Sequence, residues 1–164
     1  MRPTPNPIAV GQESVWSYPR PAIAQLTPRH LRITHRGVVL AETIHGVRTL
    51  ETSHPPTYYF PREDVDLAAL SPSTEQSYCE WKGWASYFDV SIAGQLMTQI
   101  AWCYPAPSLP FAMLKDHLAF YAAPFDTCTV DGEQVTPQPG GFYGGWITSR
   151  EAGPFKGVPG SRFW

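Results

Sequence analysis

Apolar and polar positions alternate with a period of two through the middle of the chain, the pattern of half-buried strands. In RHLRITHRGVVLAETI (29 to 44), Leu31 and Ile33 alternate with Arg32 and Thr34 before a turn at Gly37, which predicts a hairpin. Val47 to Thr52 predicts a further short strand. The following Ser53-His54-Pro55-Pro56 is forced into an extended or turning path by its consecutive prolines. Strand character resumes over Tyr58 to Pro61, Tyr87 to Ile92, Gln99 to Tyr104 and Leu118 to Tyr121. Thr127 to Val135 carries Asp131-Gly132, a pair suited to a tight hairpin turn. Helical spacing is brief: one turn within Pro61 to Leu70, and a short helix over Leu109 to His117, where Phe111, Met113 and Leu114 give a face of about two turns.

Composition sharpens this picture. Eighteen prolines and thirteen glycines in 164 residues exclude long helices, because an interior proline costs about 3 kcal/mol. Six Trp, eight Tyr and eight Phe favour sheets. The length suits one domain, read as a flexible arm over 1–14, a β domain over 15–135, and a Gly/Pro/aromatic-rich extension over 136–164. Seven of the thirteen glycines fall between Gly140 and Gly160, interleaved with Phe142, Tyr143, Trp146 and Phe155. Leaving those aromatics in water would be costly, so the extension is expected to lie ordered on the domain. A net charge of −2 provides no general field for a phosphate backbone, and nucleic acid is not the expected partner. No apolar run reaches the roughly 20 residues that span a bilayer, and three scattered cysteines, Cys79, Cys103 and Cys128, suit reduced thiols. A cytoplasmic protein without membrane contact is expected.

Four stretches carry a family resemblance: ETSHPPTYYFPREDV (51–65), YCEWKGWASYF (78–88), AWCYPAP (101–107) and HLAFYAAPFDTCTVDGEQV (117–135), with VWSYPRP (15–21) as their lead-in. Together, and in this order, they resemble the domain of unknown function 427 family, also labelled nucleotidyltransferase-like. The resemblance implies a mainly β fold of bent antiparallel sheets of the β-tent type, with at most one or two short helices. It is similar in shape to methionine sulfoxide reductase B and the drug-binding domain of cereblon. Many β-tent domains hold zinc through two Cys-x-x-Cys pairs. This chain has none, so no metal and no cofactor are expected. The family label raises nucleotide transfer, for which Asp64-Val65-Asp66 has the metal-binding spacing but lacks a preceding Gly-Ser turn; a solvated acidic turn is the competing reading.

Candidate chemistry gathers around the paired prolines. Glu51 and His54 flank the turn, with Tyr58, Tyr59 and Arg62 just beyond, and these are expected in one concave region with Trp81 or Trp102. His54 is either a proton carrier or a brace that hydrogen-bonds the turn. In YCEWKG, alternation puts Cys79 and Trp81 on one face and Glu80 and Lys82 on the other; Cys79 is a weak candidate nucleophile against the alternative of inert packing. Trp81, Trp84, Trp102, Tyr58, Tyr87 and Tyr104 form either the wall of a cleft for a planar or sugar-like ligand or a packed core. Lys82 and Arg62 are the cations available to an anionic group on that ligand. Three functions stay open: an aromatic cleft for an unidentified small molecule, metal-dependent nucleotidyl transfer, and a module that engages a protein partner or a second copy of itself through its tail. An open cleft containing His54 favours the first, carboxylates paired around metal the second, and a filled groove the third.

Overall fold

The computed structural model describes residues 1–164, and its regular structure is mostly strand. These are β1 (Glu13–Ser14), β2 (Ile23–Thr27), β3 (Leu31–His35), β4 (Val38–Thr43), β5 (Gly46–Leu50), β6 (Thr57–Pro61), β7 (Leu70–Cys79) and β8 (Gly83–Ile92). They continue with β9 (Gln95–Cys103), β10 (His117–Phe120), β11 (Thr127–Val130), β12 (Glu133–Gln134), β13 (Thr136–Pro137), β14 (Trp146–Ile147) and β15 (Glu151–Ala152). A seven-stranded antiparallel sheet runs in the order β2-β5-β6-β10-β9-β8-β7, and a four-stranded one in the order β12-β11-β3-β4. No helix is long and apolar enough to cross a membrane.

Three hairpins turn on a left-handed pair ending in glycine: Arg36-Gly37 (φ 48° and 76°), Ala93-Gly94 (50° and 78°) and Asp131-Gly132 (49° and 81°). Positive φ at both central residues matches the twist of the flanking strands, and only glycine adopts the second position without strain. The expected helices are shorter and tighter than α-helix. Residues Leu109–Leu114 form a kinked 3-10 segment with Pro110 in its first turn, and single 3-10 turns occupy Arg62–Asp64 and Leu67–Ala69.

The main core lies between the two sheets. Leu31, Ile33, Leu40 and Cys128 from the small sheet meet Tyr58, Phe60, Leu118 and Phe120 from the large one. Gly46 permits this approach, since a Cβ there would press on Leu31 Cδ1 and the Tyr59 carbonyl. Because alternate residues of a strand face opposite ways, the other face of the large sheet carries a second cluster built on Val47, Tyr59, Trp102, Tyr104 and Ala119, closed partly by Phe111 and Leu114. The candidate site lies on this second face.

The C-terminal extension is part of the fold. Trp146 is buried in the main core, its indole N–H donating to the Phe120 carbonyl (3.0 Å) and its backbone N–H to the Pro56 carbonyl (2.8 Å). The N-terminal arm is exposed through most of its first eleven residues, yet it is tied down at intervals: the Asn6 N–H donates to the Gly153 carbonyl (2.8 Å), and β1 pairs in parallel with β15.

Where arm and extension meet the large sheet, Arg48 grips Glu13 with both terminal nitrogens (2.8 and 3.1 Å) and Arg29 donates to the Tyr58 hydroxyl (2.7 Å). Burial lifts the Glu151 carboxyl above its ordinary range, against the pull of Thr148 and Arg29. Glu13 goes the other way: the hydrogen bond from Arg48 outweighs partial burial and holds its carboxylate below the ordinary value of 4.5. A depressed folded value means that the pair contributes stability above pH 4.5 and loses it as pH falls through the lower folded value. Glu13 is 36% exposed, so screening limits the contribution to about 1 kcal/mol. Glu13→Gln should therefore lower the urea midpoint at pH 7, and the gap to wild type should close in acid. A gap that is constant with pH would assign the effect to packing alone.

Candidate functional site

The site begins with a turn. The His54 N–H donates to the Glu51 carbonyl (3.0 Å), and Ser53 at its third position takes a left-handed φ of 74° while fully buried. This closes Glu51 to His54 into a four-residue turn and brings their side chains together, His54 Nε2 lying 3.3 Å from Glu51 Oε2. Pro55 and Pro56 then hand the chain to β6. On β6, Thr57 and Tyr59 point to the second face, whereas Tyr58 and Phe60 point into the main core.

The same alternation on neighbouring strands completes a floor: Thr49 from β5, Ser77 and Cys79 from β7, Tyr87 from β8 and Trp102 from β9, with Tyr104 just beyond. Tyr87 and Trp102 are cross-strand partners with ring centroids 6.4 Å apart, and Trp102 lies 4.7 Å from Tyr121. The extension supplies the roof. Gly144 passes so close to the Trp102 indole that a Cβ would overlap it, Tyr143 meets His54 edge-on at 4.9 Å, and the Tyr121 hydroxyl donates to the Phe142 carbonyl (3.0 Å). The cavity measures about 320 Å³ and is open to solvent on one side.

Gln138, also from the extension, organises the polar side. It is 4% exposed. Its Oε1 accepts from the Gly145 N–H (3.0 Å), so Nε2 is the donor end, giving hydrogen bonds to the Lys156 carbonyl and His54 Nδ1 (both 2.9 Å). His54 Nδ1 is thereby an acceptor, and the proton sits on Nε2, facing Glu51. Both ring nitrogens are thus committed to protein partners. Burial opposes charge on Glu51, yet the hydrogen bond from His54, with the cations Lys82 and Arg20 nearby, keeps its carboxylate below the ordinary range.

Lys82 sits in the hairpin end between β7 and β8, which is clamped by the Ser108 N–H on the Lys82 carbonyl (3.0 Å) and the Ser108 hydroxyl on the Trp81 carbonyl. Its ammonium lies 5.9 Å from the Tyr104 ring centre and 5.6 Å from that of Phe111, with Cys79 Sγ at 3.9 Å. No carboxylate lies within 4.0 Å of it. Burial raises the Tyr59 and Tyr104 phenols above their ordinary range and pushes Tyr121 up to about 12, so these walls stay neutral.

The structure therefore brings Glu51, His54, Tyr59, Cys79, Lys82, Tyr87, Trp102 and Tyr104 to one cavity. Four residues expected there lie elsewhere, and one of them, Trp84, is exposed with its ring 5.2 Å from that of Tyr78. Tyr58 is on the opposite face of β6, bonded to Arg29 and packed on Trp146 (5.6 Å). Arg62 lies past the end of β6 on an exposed 3-10 turn. Trp81 packs against the second cluster without lining the cavity. Residues that sequence reasoning missed are Gln138, Tyr143 and Lys156, whose only sequence signal is the aromatic content of the extension.

Of the other cysteines, Cys103 and Cys128 are buried, and burial pushes their thiols up, Cys128 to about 12. Asp64 accepts from the Thr43 hydroxyl (2.7 Å) and Asp66 caps the Ala68 N–H (3.3 Å), so each carboxylate has a local partner. No three His, Cys, Asp or Glu side chains converge in a metal-binding arrangement.

The floor strands and the Glu51–His54 turn fall within residues 23–131, which match the family profile described as NTP_transf_9, domain of unknown function (DUF427). The chain belongs to the DUF427 family. No curated protein matches it. In this DUF427 member the roof of the cavity, from Gln138 to Lys156, comes from beyond the matched residues.

Proposed function

We propose that this DUF427 protein binds a small planar molecule carrying an anionic group, with the ring between Trp102, Tyr104 and Tyr143 and the anion on Lys82. The observation that carries the reading is the Lys82 ammonium, which lines an aromatic cavity without a carboxylate partner. A half-buried cation beside ring faces gains from an incoming anion, and flat walls with few polar tips suit a flat ligand. Glu51, braced by His54, adds one acceptor for a ligand donor. The committed nitrogens of His54 support binding over proton shuttling, since neither is free for a ligand proton. The same proposal includes a β-tent architecture and a cytoplasmic setting.

Isothermal titration with planar aromatic carboxylates, 4-hydroxybenzoate among them, tests it. A hydrogen bond to a charged group is worth about 1.5–3 kcal/mol, so Lys82→Met should weaken an acid ligand by about tenfold or more while leaving a neutral analogue unaffected. Equal affinity of wild type and Lys82→Met for every acid would overturn the reading. Native mass spectrometry of protein purified from its own cells would give the mass of the retained ligand.

A further inference from the structure

A second hollow of about 520 Å³ adjoins the cavity. The two share Ser77, Tyr87, Tyr121, Gln138, Tyr143 and Gly144 on their walls, so they are two compartments of one groove divided by the strap of the extension that crosses Trp102. Their chemistry differs. The inner compartment holds the lysines, Lys82 and Lys156. The outer one has no Lys, Arg or His on its wall; its side-chain polar groups include Glu75, Gln76, Ser77, Thr98 and Gln99, beside the rings of Tyr87 and Tyr121. An anion would find no cation there, and an apolar group would strand amides and hydroxyls. Hydroxyl groups can donate to the carboxylate and amide oxygens and accept from the amide N–H groups, while the C–H faces of a sugar ring lie against a tyrosine.

Resting on the reading of the inner cavity as an aromatic-anion site, we propose that the outer compartment is a subsite for a neutral polyhydroxylated group. The ligand class is then an aromatic acid joined to a sugar or polyol, acid end inward at Lys82 and hydroxylated end outward at Gln76 and Thr98. The ring stays in the inner compartment between Trp102, Tyr104 and Tyr143, and the linkage to the hydroxylated group passes the shared residues Tyr87 and Tyr121.

Three probes test this by isothermal titration: 4-hydroxybenzoate, its glucoside 4-carboxyphenyl β-D-glucopyranoside, and glucose. In wild type the glucoside should bind at least tenfold tighter than the acid, and glucose alone should bind weakest. The exposed double variant Gln76→Ala/Thr98→Ala should bring the glucoside down to the affinity of the acid and leave the acid unchanged, whereas Lys82→Met should weaken both. A glucoside that binds no tighter than the acid, or a double variant that leaves the glucoside's advantage intact, overturns the outer subsite while the inner site stands. Absence of binding by both acid and glucoside overturns the two readings together.

Discussion

Trp146→Ala should lower stability by about 3–5 kcal/mol, the usual cost of emptying a buried aromatic site, and the melting temperature by on the order of 10 °C for a chain of this size. Trp146 is 1% exposed and lies between Tyr58 and Phe60, with centroids at 5.6 and 6.0 Å. Its removal leaves a void between rigid rings and a buried Phe120 carbonyl without its donor. The extension would also lose its main aromatic anchor, because the segment leading into it, Gly140 to Gly145, is glycine-rich and gains little from packing. Trp146→Phe refills part of the volume but not the hydrogen bond, and should recover about half of the loss. Thermal and urea unfolding measure both variants. A Trp146→Ala protein that melts with wild type would show that the extension docks without contributing to the core.

The contrast between strands that were legible in the sequence and those that were not follows from burial. β3, β6 and β10 bury one or both faces and therefore alternate or run apolar. β7 is an edge strand, paired only with β8; nearly all of LSPSTEQSYC is exposed or half-buried, and Pro72 is tolerated because an edge position leaves one side of the ladder free. With no buried face, it leaves no apolar pattern. β2, the opposite edge, exposes Ile23 and Leu26 and buries Thr27, which inverts the expected signal.

Within the site, local geometry was readable and long-range register was not. The paired prolines marked the turn that joins Glu51 to His54. Tyr87, Trp102 and Tyr104 stand together as aromatics in the sequence and line the cavity, but Tyr58 and Tyr59 are expected together although neighbours in a strand face opposite ways. Gln138 reaches His54 across 84 residues through its side-chain amide, and Lys156 joins them only through its backbone carbonyl on that amide, contacts that no local pattern encodes.

Gln138→Leu tests that long-range bracing. The substitution keeps most of the volume but removes one acceptor and a donor shared by two partners. It leaves the Gly145 N–H, the Lys156 carbonyl and His54 Nδ1 without their present partner around a buried position. Each buried group left unpaired costs about 1–3 kcal/mol, and with some relief from entering water the net loss should be about 3 kcal/mol. The functional effect is separable from stability. In wild type the long-range nitrogen–proton NMR correlations of His54 should show the Nε2-protonated tautomer, fixed by the Gln138 amide at Nδ1. In Gln138→Leu that constraint is gone, the tautomers should mix, and Glu51 should lose its fixed partner. Affinity for a planar acid should then fall even at temperatures where the variant is fully folded. Gln138→Asn, which is too short to reach all three partners from the same backbone, should fall between wild type and Gln138→Leu. An unchanged Nε2 tautomer in Gln138→Leu would mean that Glu51 alone orients the ring, and the extension would then be a cover for the site and not its organiser.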